Sequence, residues 1–204
     1  MNKKQLGILA LLVSALCWGP GPIVSKLALT EIPQFSLGFL RGVVAGVLVI
    51  ILFSRKGYLR MDRKDLPLFL LAGLFGSVFN LGFFFYGIQF TSAMSAQAVF
   101  TTAPLLNTIF SFLILKERIK LVRVGGVLLG MAGAIVIALR TFFETGSLET
   151  GNITGNAFVF LAAISWVGFI ITSKKLSKRG YHPITITSHS LIISMFGFLP
   201  LAVL

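Results

Sequence analysis

Residues able to do acid–base, nucleophilic or metal chemistry are few in this sequence, and they are scattered. Asp62 and Asp65 sit in one short basic stretch, Glu117 closes an apolar run, and no acid lies in the middle of such a run. His182 stands beside a proline, His189 is alone in an apolar run, and Cys17 is the only cysteine. No His/Cys set has metal-ligand spacing, and GxSxG, HExxH and a glycine-rich phosphate loop are all missing. No catalytic residue, metal ligand or cofactor is therefore expected. The polar groups that do recur at helical spacing are amides, hydroxyls and tryptophans inside apolar runs. At 100° per residue, Gln97, Thr101, Pro104, Thr108 and Ser111 fall within about 40° of one line. Gly73, Gly76, Asn80, Phe84 and Gly87 form a second stripe, and Ser14, Trp18, Gly21 and Ser25 a third. Ser165, Phe169 and Thr172 form a fourth, with Trp166 beside them. An unpaired amide in hydrocarbon is costly, so these faces belong against other helices or along a shared cavity. Close packing suits the glycines; Trp18, Asn80, Gln97, Thr101 and Trp166 fit packing and a cavity wall equally.

The elements that carry these stripes follow from composition. Of 204 residues, 56% are hydrophobic and 12% charged, and mean hydropathy is +0.94. A soluble domain carries roughly 25% charged residues, so the medium around most of this chain is hydrocarbon. That disfavours a soluble enzyme, a disulfide-stapled domain and a nucleic-acid binder. Seven apolar runs, three of them with a single basic residue, approach the roughly 20 residues a helix needs to cross a bilayer. They cover Leu6–Leu29, Phe35–Phe53, Leu66–Phe90, Ala93–Leu115, Val122–Leu139, Asn156–Ser173 and Ile184–Leu204. The expected fold is an all-α polytopic membrane protein, since no alternating segments of barrel type are present.

The +12 formal charge is a topology signal. Lys3 and Lys4, the five basic residues between spans two and three, the four between four and five and the four between six and seven place 15 on one side. Only Lys26, Arg41 and Arg140 fall on the other. Basic residues stay cytoplasmic, so the N-terminus is expected in the cytoplasm and residues 143 to 155 outside. The apolar run after MNKK is too long for a removable leader, and Leu16 is too bulky to precede a processed cysteine.

Within the spans, Gly38, Gly42 and Gly46, and likewise Gly126 and Gly130, read as GxxxG helix contacts. Arg41 lies about two turns into span two, where it can snorkel outward, pair with Glu31 or meet an anionic substrate. Lys26 has the same alternatives. Gly19, Pro20, Gly21 and Pro22 are expected to loosen or kink span one, because Pro22 removes an interior donor. Pro104 is expected to break span four.

The chain ends inside an apolar run, which reads as a truncation. An internal match agrees: Ala15–Trp18 aligns with Ala163–Trp166, and Ser25 and Lys26 align with Ser173 and Lys174, at an offset of 148 residues. Residues 1–150 then form one five-span unit, and 151–204 begin a second. An odd number of spans per unit inverts the second copy, the arrangement of many secondary transporters.

Residues 87–138, GIQFTSAMSAQAVFTTAPLLNTIFSFLILKERIKLVRVGGVLLGMAGAIVIA, resemble the ten-helix EamA branch of the drug/metabolite transporter superfamily. The shared pattern comprises Thr91, Ser92 and Ala93, the mid-helix Pro104, Leu115, Glu117 and Arg118, then Gly126, Gly130 and Gly133. SALCWGPGPIVSK and LRGVVAG resemble the family's first-helix Trp-Gly and second-helix Arg segments. The chain departs from the family in lacking helices eight to ten and in carrying Pro-Gly-Pro after its Trp-Gly. The resemblance implies two inverted five-helix halves around a central cavity, moving small amphipathic metabolites, usually outward, by alternating access. It implies a bacterial or archaeal plasma-membrane location, and a cavity lined by helices one, three, four and six. Trp18, Asn80, Phe84, Gln97, Thr101 and Trp166 are then the substrate-binding candidates. A non-transporting scaffold, or a small-multidrug-type subunit that oligomerises through its GxxxG faces, is the competing reading. Substrate, coupling ion and oligomeric state do not follow from the residues.

Overall fold

A chain in hydrocarbon must satisfy its backbone polar groups internally, and every regular element among the described residues is helical. The computed structural model describes residues 2–54, 57–116, 121–145 and 152–203. Span one is two helices, α1 (Lys3–Trp18) and α2 (Gly21–Ala28), and span two is α3 (Gln34–Phe53). Span three joins α4 (Leu66–Gly73) to α5 (Asn80–Phe90) through a π-helical segment, Leu74–Phe79. Span four is α6 (Ala93–Phe100) and α7 (Ala103–Leu115). Spans five, six and seven are α8 (Leu121–Thr145), α9 (Ile153–Lys178) and α10 (Pro183–Ala202). Apart from α8, every span is long and apolar enough to cross a bilayer over its whole described length. The protein is an all-α polytopic membrane protein.

Two boundaries differ from the sequence reading. Helix α8 runs on to Thr145, and α9 begins at Ile153 because the Asn152 side chain accepts the Thr154 amide at 2.8 Å, an N-cap. The stretch between spans five and six is therefore shorter than 143 to 155. At its other end α9 continues past Ser173 to Lys178, with Lys175 and Lys178 in the last turn, where cations complement the helix dipole.

Polarity is inverted relative to a soluble domain. Leu11, Leu16 and Leu129 are 72%, 76% and 77% exposed, whereas Ser77, Ser95, Ser111, Ser165 and Ser190 are buried. Helix α9 is the central pillar, touching α4, α5, α6 and α7. Its Val159, Ala162 and Ala163 are fully buried. Glycines set how closely the other helices approach. A methyl on Gly42 would stand 2.9 Å from the Met195 backbone nitrogen, and one on Gly73 2.6 Å from the Ile193 side chain. The Gly38–Gly42–Gly46 face is thus a real helix contact, against α10.

At the basic end a polar clasp joins the loop after span two to the loop after span six. Asp65, only 3% exposed, pairs with Arg179, and the Tyr181 hydroxyl donates to its Oδ2 at 2.6 Å. The Asp62 amide in turn donates to the Tyr181 oxygen at 3.1 Å. That bond to Asp65 raises the Tyr181 phenol above its ordinary range. Asp65→Asn should lower the melting temperature in detergent, because a buried charge-assisted pair is lost. Asp62→Asn should leave it unchanged, since its pair with Lys64 is exposed on both sides.

Candidate functional site

Three irregular helices surround one region. Pro20 and Pro22 lack the amide hydrogens an unbroken helix would use, so α1 stops at Trp18 and α2 restarts at Gly21 with Pro22 in its first turn. Pro104 acts the same way, but the break falls two residues earlier than the proline itself. Thr101 and Thr102 form the turn, and Pro104 occupies the first turn of α7. Both threonine hydroxyls bond locally, to the Ala98 and Val99 carbonyls at 2.6 and 2.7 Å. The π-helical segment of span three ends directly before Asn80. Such discontinuities are tolerated at membrane depth where they line a cavity.

Two adjoining cavities open there. The narrow one, about 80 Å³, is lined by Trp18, Ser25, Arg41, Asn80, Phe84 and Gln97, among others. The wide one, about 630 Å³, is walled by Trp18, Gln97, Thr101, Asn107 and Trp166, with Gly126 and Gly130 on its far side. Trp18, Gln97 and Phe100 belong to both. All six candidate residues therefore reach a cavity wall: Trp18 and Gln97 at the junction, Asn80 and Phe84 in the narrow part, Thr101 and Trp166 in the wide part. The Trp18 and Trp166 rings lie 5.8 Å apart, and Trp166 packs on Phe169 at 5.2 Å. Asn80 is also a helix tie, since its Nδ2 donates to the Ala162 carbonyl of α9 at 2.8 Å.

Gly126 and Gly130 are a correction to the sequence reading. A methyl on either would meet nothing within 4 Å, so this GxxxG forms no helix contact among the described residues and borders the wide cavity instead. The sequence cannot separate the two cases, because a small residue serves close packing and open space alike. Lys26 and Arg41 part company as well. Lys26 Nζ donates to the Thr91 carbonyl at 2.5 Å, closing the end of α5. Arg41 faces the narrow cavity, and among the described residues it forms no ion pair with Glu31. Phe100 was missed by the polar-stripe reading because it is apolar, although it lies near the Gln97 line; its ring packs edge-on to Phe84 at 6.2 Å.

The turn before span four is locked to span six. Ser92 caps α6 by accepting the Ser95 amide at 3.0 Å. The Thr91 and Ser95 hydroxyls donate to Asn156 Oδ1 at 2.7 and 2.9 Å. The Thr-Ser-Ala element thus has a definite task, holding α6 against α9 beside the cavity. Glu117 and Arg118 lie outside the described residues.

Broken helices around an aromatic and amide-lined cavity in a polytopic bundle are an arrangement in which secondary transporters build their sites. Residues 5–139 match the EamA-like transporter family, and the chain belongs to that family. It is 30% identical over 202 residues to the uncharacterized transporter YetK of Bacillus subtilis (strain 168), covering 97% of this chain and 59% of YetK. Identity is also 30% over 185 residues to the uncharacterized inner membrane transporter YhbE of Escherichia coli (strain K12), covering 87% of this chain and 57% of YhbE. An uncharacterized transporter of Archaeoglobus fulgidus is 30% identical over 203 residues, 97% of this chain and 68% of that protein. The chain thus spans under two thirds of the length of YetK and YhbE. One solved crystal structure shares the fold with a TM-score of 0.64 at 23% identity, covering 93% of this chain and 62% of that one.

Proposed function

We propose that this chain supplies the substrate cavity of a ten-helix exporter of small amphipathic metabolites that works by alternating access. The observation that carries the reading is the convergence of two broken helices, spans one and four, on a cavity of about 630 Å³ walled by Trp18 and Trp166. That volume lies within the range of sites that enclose metabolite-sized ligands. Aromatic walls take the apolar part of a solute by area burial, while Gln97, Thr101 and Asn80 orient its polar end.

In this reading residues 1–150 are the first of two inverted units, and 151–204 begin the second. The pairs aligned by the internal match support it. Trp18 and Trp166 meet across the cavity, and Lys26 and Lys174 both reach toward span four. Lys26 binds the Thr91 carbonyl just before α6, and Lys174 donates to Ser111 Oγ near the other end of α7, at 3.1 Å. The 15 to 3 division of basic residues supports a cytoplasmic N-terminus.

Alanine at Gln97 or Thr101 tests the site. On the substrate path, either change should alter which solutes are exported and leave the melting temperature in place. Helix glue would give the reverse: a loss of roughly 0.6 kcal/mol, an average interhelical hydrogen bond, with an unchanged solute profile. An efflux panel in cells beside melting in detergent distinguishes the two, and the second pattern at both positions would remove them from the site.

A further inference from the structure

Arg41 is the one residue of the narrow cavity that carries a full charge. It lies seven residues inside α3, roughly 10 Å along the helix from Gln34. Gly38, Gly42 and Gly46 of α3 pack against α10, and Arg41 lies about 100° around the helix from the centre of that face. Among the described residues it makes no ion pair and no side-chain hydrogen bond, and no carboxylate lines either cavity. Lys26, the other cation at this level, is already engaged by the Thr91 carbonyl. An unpartnered cation at membrane depth is costly, and such residues mark substrate or ion paths.

We infer that the transported solute is an amphipathic organic carboxylate, with its headgroup held by Arg41 in the narrow cavity and its apolar body laid against Trp18 and Trp166 in the wide one. This rests on the proposed cavity reading and adds the charge of the substrate. The volumes divide accordingly. About 80 Å³ admits a small headgroup and not a whole metabolite, while about 630 Å³ admits the body. Gln97 stands at the junction, where its amide can donate to the second carboxylate oxygen. A guanidinium presents its donors as a planar fork that matches a carboxylate with two parallel bonds, which a lysine does not.

The chain's two tryptophans both line the cavity, so their fluorescence reports its occupancy. Three probes of one shape, 3-phenylpropionate, 3-phenylpropan-1-ol and 3-phenylpropylamine, would be titrated at neutral pH against the chain in nanodiscs. The carboxylate should quench at about tenfold lower concentration than the alcohol, with the amine weakest. Arg41→Gln should abolish that preference and leave the alcohol's affinity unchanged, and Arg41→Lys should restore part of it. Both variants should keep the parental melting temperature, because Arg41 has no ion-pair or side-chain hydrogen-bond partner among the described residues. Equal binding of acid and alcohol by the parent chain, or unchanged acid binding in Arg41→Gln, would overturn the carboxylate assignment and leave the cavity reading standing. A variant that unfolds would show that Arg41 holds helices together, which overturns the assignment too. No quenching by any of the three would overturn both the assignment and the cavity reading.

Discussion

Gly155→Ala should destabilise the protein in detergent by about 3 kcal/mol, the upper part of the range for overpacking. Its new methyl would stand 2.7 Å from the Gly87 carbonyl oxygen and 2.9 Å from Phe90 C and the Thr91 amide nitrogen. All three are backbone atoms, so no side chain can turn aside to relieve the contact. The relation is reciprocal, since a methyl on Gly87 would meet the Gly155 carbonyl at 2.7 Å. Forcing α5 and α9 apart there would also pull Thr91 and Ser95 from Asn156, and α6 from its place beside the cavity. Gly126→Ala is the control, with nothing within 4 Å of its added methyl, and should melt within about 0.5 kcal/mol of the parent. Thermal melting of the two variants side by side checks the contrast; equal behaviour would mean that the Gly87–Gly155 crossing is not a close contact.

Trp18→Ala and Trp166→Ala should each lower the efflux of solutes with an apolar body by about tenfold or more. Burying an aromatic or large aliphatic side chain is worth about 1.5–3 kcal/mol, and each 1.4 kcal/mol is a factor of ten in affinity. Trp18 is 49% exposed, so its ring has surface to offer a solute without first leaving a packed core. Removing either ring also deletes the contact between them, about 0.5–1.5 kcal/mol, which a melting measurement reads separately. Phenylalanine at either position should keep most of the transport. Efflux of apolar solutes at the parental rate by Trp166→Ala would take that ring off the path.

Much of this arrangement is legible in the residues because hydrocarbon imposes strict rules. Apolar runs near bilayer length yielded spans whose ends shift by only a few residues, and the Gly19–Pro22 cluster marked the break after Trp18. The candidate polar residues came to cavity walls because amides and indoles are poor lipid-facing groups. Three features escaped for physical reasons. The break in span four precedes Pro104, since a proline fits the first turn of a helix and the disruption falls before it. Gly155 was outside the expected span six, because that span was bounded by hydropathy and the local Asn152 cap that starts α9 earlier carries no hydropathy signal. Arg41 could not be assigned among the interface, Glu31 and a cavity from the residues, since depth along a helix says nothing about which way a side chain faces; the structure removes the Glu31 pair and puts Arg41 in the lining of the narrow cavity.

Water access to position 97 tests the cavity most directly. In a Cys17→Ser background, Gln97→Cys should react with a water-soluble methanethiosulfonate reagent, because Gln97 sits at the junction of both cavities. Ile109→Cys, 42% exposed on the same span but on neither cavity wall, should stay unreactive in lipid. Unreactive thiol at 97, with no difference from 109, would contradict a solute path between spans one, four and six.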